Sequence, residues 1–212
     1  MERIFLDEGQ GGDKLSLIIG IDPSFGRKED DKKPLEKKKY GTGIILLKDG
    51  KIEKQVFLPT PSTDSIYKRV KTIQNTIRAQ CEEMPDLFVI EGVSFASSGQ
   101  TALQMGYLQF SIREHILYVL GQGFIDVSPL QLKKFALGKG SGDKNLILKE
   151  VYKRWGYDTD NDNLADAFVL AKTGEAYLNY PDVKLPDFQL EVIQVLKGDK
   201  PAKKTRKKVK SK

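Results

Sequence analysis

The chain has 212 residues, which is enough for one full-size domain with an appended tail. Hydrophobic residues make up 39% and charged residues 30%, a balance typical of a globular protein, and no apolar run approaches the roughly 18 residues of a membrane span. The net charge is +6, and the single Cys81 and single His115 exclude an internal disulfide, a cysteine-based zinc centre and a multi-histidine metal site. The first 14 residues lack the basic patch and apolar stretch of an export signal, so we expect a cytoplasmic protein.

The sequence begins with a predicted central strand followed by a charged loop. Residues 15–22 form an isoleucine-rich run that ends at Asp22 and is followed by turn-forming residues. Residues 25–40 carry seven Lys or Arg and four acids, with few apolar side chains. We predict that this second segment is an exposed, mobile loop.

The rest of the sequence predicts alternating strands and helices. The Asp49-Gly50 pair is typical of a tight hairpin, and a later apolar strand delivers Glu91 at its end. Helical periodicity and capping residues predict the helices. In chain order, the predicted elements are strands at 44–47 and 52–58, a helix at 62–83, a strand at 87–90, a helix at 101–120, a strand at 124–127, and helices at 129–136, 143–155, 161–177 and within 182–196.

This order predicts an α/β protein with a mixed five-stranded sheet flanked by helices. Three meandering strands are followed by helix-connected parallel strands, the pattern of a sheet with helices on both faces. We found no internal repeat. The predicted segments are a flexible N-terminus at 1–14, the main domain at 15–180, an extension at 181–196 and a disordered basic tail at 197–212.

The positive charge is distributed unevenly along the chain. Residues 197–212 carry a net +8, which leaves the remainder at −2. Within that remainder, residues 127–154 carry +5 and residues 155–196 carry −6. Two solvated faces would explain the second contrast, and an anionic site beside a polyanion-binding surface would also explain it. We predict that the tail tethers DNA without sequence preference.

Four acidic residues are placed to form one site. Asp22 and Glu91 each end a predicted core strand, and Asp162 and Asp166 lie four residues apart on one face of a predicted helix. Each acid alone has an ordinary role as a turn-former or helix cap. Brought together, four carboxylates need a cation to stay ionised, and oxygen ligands favour Mg²⁺ or Mn²⁺. Two such ions are suited to phosphodiester hydrolysis.

These residues resemble the RuvC-like Holliday junction resolvases, particularly the phage-encoded members. Four blocks match that family's motifs in order and together span about residues 17–175. The blocks are Ile19 to Ser24 resumed by Gly41 to Gly43, Phe88 to Glu91, Val127 to Lys133 with Gly138 to Gly140 and Lys144, and Asp162 to Ala167. The resemblance implies a ribonuclease H-like fold and a homodimer that nicks two strands of a four-way DNA junction symmetrically, using Mg²⁺ or Mn²⁺ and no nucleotide cofactor.

The resemblance assigns the family's catalytic acids to Asp22, Glu91 and Asp166. Many relatives place an acid or histidine three residues before the last aspartate, where this chain has Asn163. Because a carboxylate binds Mg²⁺ better than an amide does, we expect Asp162 as the fourth catalytic and metal-binding acid, with Asn163 as a second candidate ligand.

The predicted DNA contacts lie around these acids and in the tail. Lysines between the fifth strand and the acidic helix are expected to hold phosphates, and Lys144 resembles an active-site-proximal lysine of the family. Phe95 stands where some relatives place an aromatic that probes the junction's bases, with core packing as its alternative. The loop at 25–40 is inserted where relatives have a short turn, and is either a DNA-facing element or an idle insertion. The DNA-binding candidates are Lys133, Lys134, Lys139, Lys144, Phe95, Lys203, Lys204, Arg206, Lys207 and Lys208.

Two other functions stay open at this point. One is a ribonuclease H-like nuclease acting on flaps, other branched DNA or RNA–DNA hybrids, and the other is a catalytically silent nucleic-acid-binding protein. The intact acids argue against the silent protein, because a cluster of anions does not help a pure DNA binder. We interpret His115 as a packing or interface residue, and Tyr107, Tyr118 and Trp155 as core or dimer contacts.

Overall fold

The computed structural model describes residues 16–93 and 99–199, which form a mixed five-stranded sheet covered by helices. The strands lie in the order β3-β2-β1-β4-β5, with β2 antiparallel to both neighbours and β1, β4 and β5 parallel. The C-terminal ends of these three parallel strands therefore share one edge of the sheet. The strands are β1 (Leu17–Asp22), β2 (Thr42–Lys48), β3 (Lys51–Leu58), β4 (Leu87–Glu91) and β5 (Phe124–Val127).

Helices cover both faces of the sheet in the described part of the chain. Alternate residues of β1 point into separate cores: Ile19 and Ile21 pack with α1 and α2, whereas Ile18 packs with α5. The predicted α/β sheet with helices on both faces is confirmed. The helices are α1 (Ile66–Ala79), α2 (Gly99–Glu114), α3 (Pro129–Leu137), α4 (Lys144–Trp155), α5 (Asp162–Leu178) and α6 (Asp187–Lys197). No helix within the described ranges has the length and apolarity needed to span a membrane.

Several helix limits differ from the prediction for local reasons. The first helix begins at Ile66 rather than at residue 62, because Ser65 supplies the side chain that accepts from the backbone N–H of Lys68. The second helix passes into a π-helical turn at His115–Val119 instead of continuing regularly. The region 182–196 forms most of α6, which extends to Lys197, the first residue of the predicted tail, and whose buried Val192 joins the core around α5.

The loop at residues 25–40, called the inserted loop below, is largely exposed as predicted but has internal structure that the sequence did not predict. The buried carboxylate of Asp30 accepts hydrogen bonds from the backbone N–H groups of Lys39 (2.6 Å) and Tyr40 (2.9 Å) and from the ammonium of Lys33 (2.8 Å). Burial by itself raises the pKa of Asp30, but these hydrogen bonds outweigh it and lower the pKa to about 2. The loop contains two short 3₁₀ turns, at Lys28–Asp30 and Leu35–Lys37.

Helix α5 packs directly against the sheet because two glycines leave room for its backbone. A Cβ atom on Gly20 of β1 would overlap the backbone carbonyl oxygen of Ala167, and one on Gly43 of β2 would overlap that of Asn163. A side chain at either position would therefore push the helix away from β1 and β2. The first two turns of α5 are held beside the end of β1 by this contact.

Substituting Gly20→Ala should destabilise the fold by about 2 kcal/mol or more, because neither the strand nor the helix backbone can move aside easily. The matched control is Gly106→Ala, on the exposed side of α2, where an added methyl meets no atom within 4 Å. That change should stabilise by roughly 0.5 to 1 kcal/mol, as expected for glycine in a helix interior. Chemical denaturation at equal protein concentration measures both, and equal effects of the two changes would contradict the packing argument.

Candidate active site

Four carboxylates from three elements meet at the edge of the sheet where β1 and β4 end. Asp22 and Glu91 are the last residues of these adjacent parallel strands, and their side chains share a hydrogen bond. Asp162 and Asp166 lie one turn apart at the start of α5, and the charges of both act on Asp22. The structure therefore brings together all four acids that the sequence analysis singled out.

Asp22 lies at the centre of this cluster and is only 7% exposed. Burial raises its pKa well above the usual value, and the negative charges of Glu91, Asp166 and Asp162 raise it further. An ionised Asp22 is thus opposed both by the loss of water and by three neighbouring carboxylates. A proton or a cation at this point relieves the repulsion.

The chemistry of the donors fits a hard divalent cation. All four side chains offer carboxylate oxygens, the ligands that Mg²⁺ and Mn²⁺ prefer, and the raised pKa of Asp22 shows that the cluster favours added positive charge. In the described residues, no group of three or more acidic, histidine or cysteine side chains is already arranged to hold a metal ion. The four carboxylates are therefore close enough for their charges to act on Asp22, but they do not already have the geometry of a metal site.

Asn163 is turned toward the inserted loop. Its amide nitrogen donates to the backbone carbonyl oxygen of Lys39 (2.9 Å) and lies 3.4 Å from the side-chain oxygens of Asn161 and Asp162. Its donor group therefore fastens the loop to the start of α5. Between the two candidates for the fourth position, the geometry favours Asp162, whose charge acts on Asp22.

Arg113 of α2 is a residue at this site that the sequence analysis missed. Its guanidinium donates to the backbone carbonyl oxygen of Glu91 (3.3 Å), forms a salt bridge with Asp126 of β5, and donates to the carbonyl oxygen of Gln109 (2.8 Å). Arg113 thereby joins α2 to the two strands beside the carboxylates. Its partners Glu91 and Asp126 are 22 and 13 residues away in sequence, so no local pattern identifies it.

The predicted DNA-binding lysines have different environments. Lys134 is paired with Glu191 of α6 at 2.7 Å, so its ammonium already has an anionic partner, whereas Lys133 is half-buried on α3. Lys139 is exposed in a turn that folds back so that Gly140 lies against Leu130, at the start of α3. That helix follows β5, whose last residue pairs with Glu91, so Lys139 is near the carboxylate edge.

The remaining candidates are either placed elsewhere or lie outside the described residues. His115 is buried, as a packing residue would be, and Trp155 stacks on Phe135 against the main core. Tyr107 and Tyr118 are exposed, so neither is a core residue, and the alternative of a dimer contact stays a prediction for both. The side chain of Lys144 is not among those described, although its backbone begins α4. Also outside the described residues are Phe95, Lys203, Lys204, Arg206, Lys207 and Lys208.

Comparison with known proteins shows one consistent relationship, although no family model matches the chain. The chain is 29% identical over 163 residues to the crossover junction endodeoxyribonuclease RuvC of Campylobacter concisus, covering 74% of this chain and 94% of that protein. It is 27% identical over 164 residues to the RuvC of Alkaliphilus oremlandii, covering 73% and 90%.

Solved structures show the same relationship at the level of the fold. The structure of Thermus thermophilus RuvC matches with a TM-score of 0.57 at 19% identity, covering 76% of this chain and 94% of that one. Thermus thermophilus RuvC in complex with a Holliday junction substrate matches with a TM-score of 0.59 at 16% identity, covering 80% and 98%.

The sheet order, the helix laid against β1 and the carboxylates at the strand ends define a protein of the ribonuclease H-like fold. Within that class, the sequence relatives and the structural matches agree on one group. The chain is thus similar to RuvC proteins in both sequence and fold.

Replacing Asp22→Asn should raise the midpoint of thermal unfolding in EDTA at neutral pH. The folded protein binds the Asp22 proton more tightly than the unfolded chain does, so wild-type stability falls as the pH rises from about 4, the unfolded pKa, through the raised folded pKa. The variant lacks this loss. The difference between the unfolding midpoints of the variant and the wild type should therefore be absent below about pH 4 and should grow toward neutral pH.

A control variant and a measurement with Mg²⁺ separate the electrostatic effect at the cluster from a general effect of removing a charge. Asp182→Asn, at an exposed acid remote from the cluster in sequence, should leave the midpoint nearly unchanged at every pH. Millimolar Mg²⁺ should raise the midpoint of the wild type and not that of Asp22→Asn, because binding to the folded state stabilises it. A less stable Asp22→Asn protein in EDTA at neutral pH would contradict the electrostatic account.

Proposed function

We propose that this protein is a metal-dependent endonuclease that resolves four-way DNA junctions by paired, symmetric nicks. The observation that carries the proposal is the convergence of four carboxylates on Asp22 at the ends of β1 and β4. Its sequence relatives are named crossover junction endodeoxyribonuclease, and a structural match is a RuvC bound to a Holliday junction, which supports branched DNA as the substrate.

The carboxylates of Asp22, Glu91, Asp162 and Asp166 would hold one or two Mg²⁺ ions, for which Mn²⁺ can substitute. Bound there, these ions supply an activated water and charge stabilisation for the leaving oxygen of a phosphodiester. The strand ends hold the first two acids on rigid elements, and the guanidinium of Arg113 fixes the backbone of Glu91. Lys139 supplies positive charge for phosphates near this edge.

Paired nicking needs two active sites, and the outward face of α2 supports a homodimer. Leu103, Tyr107 and Phe110 lie at helical spacing on one side of α2, and Tyr118 follows in the π-helical turn. Phe110 is 68% and Tyr118 82% exposed, unusual for large aromatic side chains. Because a twofold axis brings the same face of each copy together, contact through α2 would join two active sites in one particle.

The substrate also determines where the enzyme works. Branched DNA arises where DNA is recombined or replicated, and we propose that the protein acts on it in the cytoplasm, which is the host cell's cytoplasm if a phage encodes the protein. Flaps, duplexes and RNA–DNA hybrids are the competing substrates.

The test is cleavage of labelled four-way junction, flap, duplex and RNA–DNA hybrid substrates with Mg²⁺, Mn²⁺ or EDTA. Paired symmetric nicks in the junction, absent in EDTA, are expected. Preferred cleavage of a flap or hybrid would assign the other nuclease activity, and tight binding without cleavage of any substrate would assign a silent binding protein.

Glu91→Gln and Asp166→Asn should each lower the single-turnover cleavage rate at least about a hundredfold, since a bound metal supplies several kcal/mol of transition-state stabilisation. Junction binding should persist in both variants, because neither acid attracts phosphates. Asp182→Asn is the matched control and should cleave like the wild type. Full activity in either cluster variant would mean that the site is misassigned, and Asp162→Asn should lose more activity than Asn163→Ala.

Phe110→Glu should convert the protein into a monomer, because burying a carboxylate at an apolar contact is costly. Light scattering measures the mass, and the matched control is Tyr152→Glu, at a similarly exposed aromatic on α4. The monomer should produce unpaired nicks. A Phe110→Glu protein that stays dimeric would show that the subunits meet elsewhere.

A further inference from the structure

The inserted loop sorts its charges between an inner and an outer side. Two of its four acids are turned toward the protein: Asp30 is 1% exposed and holds the backbone of Lys39 and Tyr40, and Asp31 accepts hydrogen bonds from the backbone N–H (2.9 Å) and the hydroxyl of Ser62. The hydrogen bonds that these two acids accept hold the loop together and join it to Ser62. Its outer surface is therefore more basic than its composition.

The exposed side of the loop carries mostly cations. Five basic side chains are exposed, compared with two acids, Glu29 and Glu36. The guanidinium of Arg27 lies 3.9 Å from the ring centre of Tyr40. Stacking on the ring restricts the orientation of the guanidinium, so less side-chain entropy is lost when it binds a phosphate. The exposed basic residues are Arg27, Lys28, Lys32, Lys37 and Lys39.

Both ends of the loop are fastened. At the first end, the buried Arg69 of α1 donates to the carbonyl oxygen of Gly26 and to the hydroxyl of Thr60 (3.2 Å), and its guanidinium lies 4.2 Å from the ring centre of Phe25. At the second end, the carbonyl oxygen of Lys39 accepts from Asn163 at 2.9 Å. The loop is thus held in one position relative to the sheet edge.

That position is beside the carboxylates. The loop begins three residues after Asp22. Near its other end, Lys39 is hydrogen-bonded to Asn163, the residue directly after Asp162 in α5. Successive phosphates of one DNA strand are separated by about 3.4 Å along the helix axis, so phosphates within a few nucleotides of the one in the site lie within reach of a lysine anchored here.

Three consecutive lysines, Lys37, Lys38 and Lys39, differ in their environments. Lys38 has an extended conformation, with φ −77° and ψ 138°, and its charge acts on Asp31 on the inner side. Lys37 is the last residue of the second 3₁₀ turn, and Lys39 follows Lys38 with its backbone carbonyl oxygen held by Asn163. Both are exposed, unlike the half-buried Lys38.

We propose that the inserted loop is a second DNA-binding site, in which Lys37 and Lys39 bind backbone phosphates of the strand held at the carboxylates, a few nucleotides from the scissile one. The proposal rests on the proposed nuclease function for the identity of its ligand. Such contacts carry no sequence information and instead set the position of the strand on the enzyme. The ammonium groups act as point charges, so binding through them depends strongly on salt.

The first experiment compares Lys37→Gln/Lys39→Gln with the control Lys51→Gln/Lys71→Gln, which removes one exposed charge from the start of β3, at the opposite end of the sheet, and one from α1. With four-way junction in EDTA, the loop variant should bind roughly tenfold more weakly at about 0.1 M salt, and its plot of log affinity against log salt should be shallower by about 2, one for each lost phosphate contact. The control should stay within about twofold of the wild type. Equal behaviour of the two double variants would overturn the proposal.

The second experiment locates the contact. An iron–EDTA reagent attached to a cysteine introduced by Lys37→Cys, in a Cys81→Ala background, should cut junction strands within a few nucleotides of the enzymatic nick. The same reagent attached after Lys51→Cys should give no cuts there. Cuts that are absent, or that fall far from the nick, would place the loop away from the bound strand.

The two proposals fail separately. The loop variant should need a higher junction concentration than the wild type to reach half of its maximal cleavage rate, because it has lost two phosphate contacts. If the wild type cleaves the junction but the loop variant binds like the control, the loop proposal is wrong and the nuclease proposal stands. If the wild type binds junction through the loop but cleaves nothing, the nuclease proposal is wrong and the loop remains a DNA-binding site.

Discussion

The close approach of α5 to β1 is the contact on which the rest of this structure depends. Gly20 and Gly43 have no side chain to separate strand from helix, so the α5 backbone rests on the sheet. This contact places Asp162 and Asp166 over the end of β1, where Asp22 already lies. A side chain on either glycine would push the start of α5, and with it Asp162 and Asp166, away from Asp22.

The four carboxylates destabilise the folded state, and the apolar side chains buried on the two faces of the sheet offset that free-energy cost. Asp22 is desolvated among three other carboxylates, an arrangement that favours a bound proton or cation over the ionised site. Directly before it, Ile18, Ile19 and Ile21 are completely buried in two cores on opposite faces of the sheet. Strain of this kind concentrates at sites of function, where stability is exchanged for reactivity.

Two other surfaces lie next to this edge of the sheet: the inserted loop, which is rich in exposed cations, and the outer face of α2, which is rich in exposed aromatic side chains. The inserted loop turns Asp30 and Asp31 inward and leaves lysines outside, which suits a polyanion that must lie close to a cluster of carboxylates. Helix α2 exposes aromatic side chains on its outer face while Arg113 on its inner side holds the backbone of Glu91. The proposed dimer contact and the carboxylates are thus attached to one helix.

The sequence alone determined the types of the elements and singled out the four acids, because apolar runs, capped helix ends and an acid at the end of an apolar strand are local patterns visible in the chain. It could not determine what holds those acids together. The roles of Arg113, Arg69 and Asn163 depend on partners 22, 43 and 124 residues away, and the inner and outer charges of the inserted loop are indistinguishable in composition. Only the tertiary structure decides these, because which side chain finds a buried partner depends on which distant backbone groups the fold brings beside it.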